Sequence, residues 1–177
     1  MVIKYEVTKQ DYIDFNLNFI ETSRVMRRSL FIKRFFYPVF FLAAASLLDS
    51  VLKIPLLVTL MAAGIVSVIW ILFYVKWFKH SVTKRVEKLL VSGKVPGLIG
   101  PHELEIGKSS LMDKTRESTT MYETIESIQI TDKHIFIYVS QVMAFIVPKK
   151  AFETQALMDA FIDKAMAYKN KSKRTKQ

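Results

Sequence analysis

The 177-residue chain contains no cysteine, so disulfide staples, thiolate metal sites and cysteine nucleophiles are excluded together. Histidine is nearly as scarce. The three, His80, His102 and His134, have no second histidine at the close spacings zinc sites use, so no metal or other cofactor is expected. Glycine numbers only five, and neither a Walker phosphate loop nor G-x-G-x-x-G nor G-x-S-x-G occurs. Glu103, Glu105 and Asp113 are expected to share one solvated face of a sheet rather than to work as an acid and a base. No enzymatic activity is expected. No early secretory leader is expected either, because the first apolar run starts near residue 35, behind a polar and charged segment.

Charge is absent altogether from Ile54 to Val75, IPLLVTLMAAGIVSVIWILFYV. As an α-helix rising about 1.5 Å per residue this stretch is roughly 33 Å long, enough to cross a hydrocarbon core of about 30 Å. A shorter apolar run precedes it. The expected spans are about 35–52 and 54–77, with Pro38 and Pro55 in first turns, where a missing N–H costs little. So few residues separate them, Asp49 to Ile54, that the two must run antiparallel as a transmembrane hairpin over 35–77. Asp49 is expected to be an exposed interfacial group at the turn. Thr59, Ala63 and Ser67 recur at four-residue spacing and are expected to pack the helices closely, with Ala43 to Ser46 opposite. Tyr74 and Trp77, with Phe35, Phe36 and Tyr37, form an expected aromatic belt.

Lys and Arg number 26 against 16 Asp and Glu, a formal charge of +10. The mean hydropathy of +0.21 averages the apolar block with these polar flanks. Arg24, Arg27, Arg28, Lys33 and Arg34 precede the first span, and Lys76, Lys79, Lys84 and Arg85 follow the second, whereas the turn offers only Asp49 and Lys53. Cations are retained on the cytoplasmic side, so a multi-pass protein with both termini cytoplasmic is expected. The same nine side chains are the expected contacts to anionic lipid headgroups; nucleic acid is not expected, because the cations do not cluster among aromatics on a soluble domain.

Residues 1–34 read as a strand followed by an amphipathic helix. Val2 to Val7 alternate, with Ile3, Tyr5 and Val7 on one parity; Thr8 then reads as an N-cap with Asp11 in the capping-box position, and Tyr12, Phe15, Phe19 and Ile20 form a stripe. Residues 78–100 read as a basic juxtamembrane helix and a Gly/Pro-rich linker. From 101 to 168 the period changes to two: strands are expected at His102–Ile106, Ser109–Lys114, within Thr119–Ile130, at Ile135–Val139 and at Val142–Val147, then a closing helix over Phe152–Tyr168. The tail 169–177, KNKSKRTKQ, reads as basic and disordered.

KYEVTKQDYIDFNLNF (Lys4–Phe19), YETIESIQITDKHIFIYVS (Tyr122–Ser140) and AFIVPKKAF (Ala144–Phe152), in this order around a two-span hairpin, resemble the YcxB-like family of bacterial membrane proteins. Tyr122 or Met121 stands where that pattern places a Trp. The resemblance implies a membrane α+β protein of the bacterial cell membrane, with a cytoplasmic antiparallel β domain akin to a PH-like roll and a C-terminal helix. It supplies no catalytic residues. The expected function is therefore a binding or regulatory module presented at the inner leaflet, whose partners are the anionic bilayer and either another protein or a second copy. The alternative is a subunit of an oligomeric transporter or channel, since two helices cannot enclose a path alone.

Overall fold

The computed structural model describes residues 1–52, 54–93, 97–107, 110–115 and 117–174, without the side chains of 48–52, 123 and 171–174. The expectations placed on the Asp49 side chain, on Lys53, on Pro96, on Lys108 and Ser109 and on residues 175–177 lie outside that description. In chain order the elements are β1 (Val2–Val7), α1 (Lys9–Thr22), α2 (Arg24–Leu52), α3 (Leu56–Val91), β2 (Gly100–Ile106), β3 (Ser110–Asp113), β4 (Ser118–Met121), β5 (Ser127–Ile130), β6 (His134–Tyr138), β7 (Ala144–Pro148) and α4 (Gln155–Arg174). They form an α+β protein of two units, Met1–Asn16 with Glu87–Gln177, and Leu17–Val86.

The first unit is built on two antiparallel sheets, ordered β1-β2-β3-β4 and β5-β6-β7. β1 meets β2 along its whole length, from Val2 opposite Glu105 to Val7 opposite Gly100. Residues 8–99 are therefore one excursion that leaves and rejoins the sheet at neighbouring positions. Gly100 takes φ +112°, a backbone region that side chains rarely enter, at the point of return. The alternation read in β1 holds: Ile3 and Val7 are buried, whereas Val2, Lys4 and Glu6 are exposed.

Ile3, Leu104, Ile106 and Leu111 from the first sheet meet Ile135, Ile137 and Val147 from the second, and Phe161, Ile162 and Ala165 of α4 complete one core. The strand expected within Thr119–Ile130 is β5, and a further strand, β4, precedes it across a 3-10 turn at Tyr122–Thr124. Tyr122 explains the break. Its ring is 2% exposed and stacks on Tyr168 of α4 at 5.1 Å, while its hydroxyl donates to the Gly107 carbonyl at 3.0 Å. Burial, with Tyr168 beside it, pushes the phenol up to about 12. The closing helix starts at Gln155, behind a 3-10 turn at Lys149–Ala151, and continues to Arg174, so the tail read as disordered from Lys169 is helical as far as the backbone is described.

In the second unit both apolar helices are longer than expected. α2 begins at Arg24 because Ser23 interrupts the preceding helix and nothing between Ser23 and Phe35 does so again; the five cations from Arg24 to Arg34 thus ride on the helix. Pro38 lies within it rather than in its first turns, and leaves the Arg34 carbonyl without an i+4 donor. α3 passes Phe78 unbroken, since no glycine or proline intervenes before Gly93 (φ +64°), so the separate juxtamembrane helix is an extension of the same rod. Pro55 lies just outside α3, where its carbonyl accepts from Val58 and Thr59.

The β1 pairing makes Ile3 a core residue and Val2 a surface one. Ile3→Ala is expected to cost about 2–5 kcal/mol and Val2→Ala less than about 0.5. Urea unfolding followed by hydrogen exchange of the sheet amides checks both values.

Candidate functional site

Two histidine–carboxylate pairs are buried in the sheet unit. At the start of α1, Thr8 and Asp11 form the expected capping box: the Thr8 amide donates to Asp11 Oδ2 at 2.8 Å, and the Asp11 amide to Thr8 Oγ1 at 3.2 Å. The Thr8 hydroxyl adds a bond to the same carboxylate oxygen at 2.7 Å. Asp11 Oδ1 is left for His134 Nε2, at 2.8 Å, and Lys150 Nζ stands 3.9 Å from Oδ2. Burial pushes the Asp11 carboxyl up, but the hydrogen bonds from His134 and Thr8 and the charge of Lys150 outweigh it and hold the group below the ordinary carboxylate range. One helical turn on, Phe15 lies 5.6 Å from Phe136 and 5.9 Å from Tyr138. α1 therefore covers the face of β6 that turns away from the core, which is why His134–Tyr138 is buried at every position.

The second pair joins adjacent strands. His102 Nδ1 lies 3.5 Å from Asp113 Oδ2, the Thr115 amide donates to Asp113 Oδ1 at 3.1 Å, and the Tyr5 ring stacks on the imidazole at 5.7 Å. Tyr5, Tyr12, His102, Asp113 and Phe145 line a cleft of about 40 Å³, room for a few waters. Asp113 does not share a face with the glutamates, contrary to expectation: it stands opposite Leu104 in the register and points inward with it. Glu103 and Glu105 lie on the outer face beside Lys114, at 3.3 and 2.9 Å, and Glu103 also reaches Lys4 at 3.5 Å. The hydrogen bond from Lys114, then its charge, lowers the Glu105 carboxyl; such exposed pairs contribute little to stability.

In the second unit α2 and α3 lie side by side and antiparallel. Tyr37 and Phe41 reach Trp70 at 5.0 and 5.9 Å, and Arg34 Nε donates to the Ile71 carbonyl at 2.8 Å. Arg34 is thus drawn into the seam rather than left outside. Lys79 is taken by the carboxylate of Glu21. Arg24, Arg27, Arg28, Lys33, Lys76, Lys84 and Arg85 are exposed. Ser67 is buried, Thr59 and Ala63 are half-buried, and the two hydroxyls bond back to their own helix at 2.7 and 2.9 Å. Of the expected belt, Tyr74 stacks inward on Trp70 at 5.0 Å, while Trp77, Phe35 and Phe36 are exposed.

The spacing argument overlooked both buried pairs, because Asp11 and His134 are 123 residues apart and Asp113 and His102 stand in different strands. The signal that was present was Asp11 itself, a cap with one carboxylate oxygen to spare. Replacing it by Asn is expected to cost about 1–3 kcal/mol near neutral pH, because His134 loses a charged acceptor. The Asp11 contribution has a definite pH window. Its folded pKa is depressed, so the contribution is whole above the unfolded value of about 3.9 and fades as pH falls through the lower folded value. Asp11→Asn should therefore unfold with a shallower acid limb than the parent, measured as stability against pH from 2 to 6, roughly the carboxylate range.

No curated protein and no solved structure matches the chain. A family model does, from the last residue of β3 through most of the inward face of α4: residues 113–165 match the family described as YcxB-like protein.

Proposed function

We propose that this is an integral protein of a bacterial cell membrane in which α2 and α3 cross the bilayer as a hairpin and hold the sheet unit, a PH-like roll closed by α4, at the cytoplasmic leaflet as a non-catalytic binding or regulatory module. One observation carries the reading. The most apolar windows of α2 and α3 are only 11% and 6% buried, unlike the core helices of a soluble protein, and Leu57, Met61, Ile65, Val68 and Leu72 are exposed. The sheet unit has a complete core of its own, which leaves lipid as the natural cover for the helices.

The register of β1 on β2 supports the hairpin independently. Val7 and Gly100 are neighbours in one sheet and must lie on one side of any bilayer, so the excursion between them crosses an even number of times. Two apolar helices meet that requirement. The exposed cations at the Arg24 end of α2 and the Lys84 end of α3 favour the cytoplasmic side for that sheet, and both ends of the chain follow it. Tethering raises the local concentration of whatever the roll contacts, lipid headgroup or protein, so a weak contact suffices. The two buried His–carboxylate pairs fit a structural role within such a module, since the carboxylates are spent on a helix cap and a turn.

The chain is expected to stay in the membrane pellet after alkaline carbonate extraction. Ile65→Arg, which adds about 2.5–3.5 kcal/mol at the centre of a span, should move a large part of it to the supernatant or to degradation. Recovery of the parent protein in the supernatant would contradict the reading.

A further inference from the structure

A groove of about 270 Å³ runs along α3, lined by Val66, Ile69, Trp70, Phe73, Tyr74 and Trp77, with almost no polar surface. It spans about 16 Å of helix. The groove is also directional. His80 and Lys84 follow Trp77 at the next helical spacings of three and seven, on the same line of the helix, and both are exposed. Helical side chains lean toward the N-terminus, so the Lys84 stem bends back along this line toward Trp77.

We infer that this groove is a binding site for one anionic phospholipid, which lays an acyl chain along Val66–Trp77 and places its phosphate against Lys84 and His80. The inference rests on the membrane reading above. The occupant follows from the pairing of chemistries: an apolar trough as long as much of an acyl chain, ending in a cation rather than in more apolar surface. An apolar helix of a second copy would fill the trough but leave the cationic end unused.

Trp70 and Trp77 are the only tryptophans in the chain, and both line the groove, so intrinsic fluorescence reports on it alone. The full-length protein is reconstituted in phosphatidylcholine vesicles doped with a minor fraction of phosphatidylglycerol brominated on its chains, or of phosphatidylcholine brominated likewise. The anionic lipid is expected to quench at about fivefold lower mole fraction, the preference one juxtamembrane cation confers. Lys84→Gln combined with His80→Gln should abolish that preference while quenching by brominated phosphatidylcholine persists, and Arg24→Gln should leave it intact. Equal quenching by both lipids, or a preference that survives in the double variant, would overturn the site and leave the membrane reading standing. Tryptophans silent to both lipids but quenched by acrylamide from water would overturn the membrane reading itself; silence to all three quenchers would mean that a second copy fills the groove, and would overturn the site.

Discussion

The pairing of β1 with β2 is the constraint on which the rest of the molecule depends. It is made by six residues before the long excursion and seven after it, and it brings the two ends of residues 8–99 to neighbouring positions in one sheet. Closing a loop of that length costs little more than closing one half as long, because the entropy grows only with the logarithm of length. What holds it closed is ordinary core chemistry: Ile3 and Val7 face inward, with Ile3 in one cluster with Leu104 and Ile106. The consequence reaches beyond the sheet. Whatever α2 and α3 do, the chain must return to the side from which it left.

The buried polar pairs secure the departure point. Asp11 caps α1 with one carboxylate oxygen and grips His134 with the other, so the first turn of the helix is fixed to the first residue of β6. A cap alone contributes about 1 kcal/mol, and a single buried charge-assisted hydrogen bond somewhat more. Together with Phe15 on Phe136 and Tyr138 they fix the first turns of α1 against β6.

Much of this was legible in the residues. The parity of VIKYEV, the Thr8–Asp11 box, the change to a period of two after residue 100 and the closing helix all rest on local rules of period and capping, and local rules act within a few residues. The charge-free run from Ile54 to Val75 could hardly be anything but a helix long enough to cross a bilayer. Helix ends were harder to read. Composition marks where apolar character stops, at Phe35 and Trp77, but a helix goes on until a residue breaks it, and the breaks are at Ser23 and Gly93. The partners of β1, Asp11 and Asp113 were illegible for another reason: each lies across a turn, a sheet or the whole excursion, and strand order leaves no periodic trace in one sequence. Ile135–Val139 reads as a strand, but that a helix from the other end of the chain covers its second face became visible only in three dimensions.

A chain without cysteine allows the account to be tested with single introduced thiols and no background. Ser50→Cys lies in the last turn of α2, before the connection to α3, and Thr119→Cys lies exposed on β4. The decisive measurement is labelling of each variant in intact cells by a maleimide that cannot cross membranes, compared with labelling after permeabilisation. A hairpin that starts and ends in one cytoplasmic sheet predicts that Ser50→Cys reacts in intact cells and Thr119→Cys only after permeabilisation. Labelling of Thr119→Cys from outside, or protection of both until the membrane is opened, would contradict it.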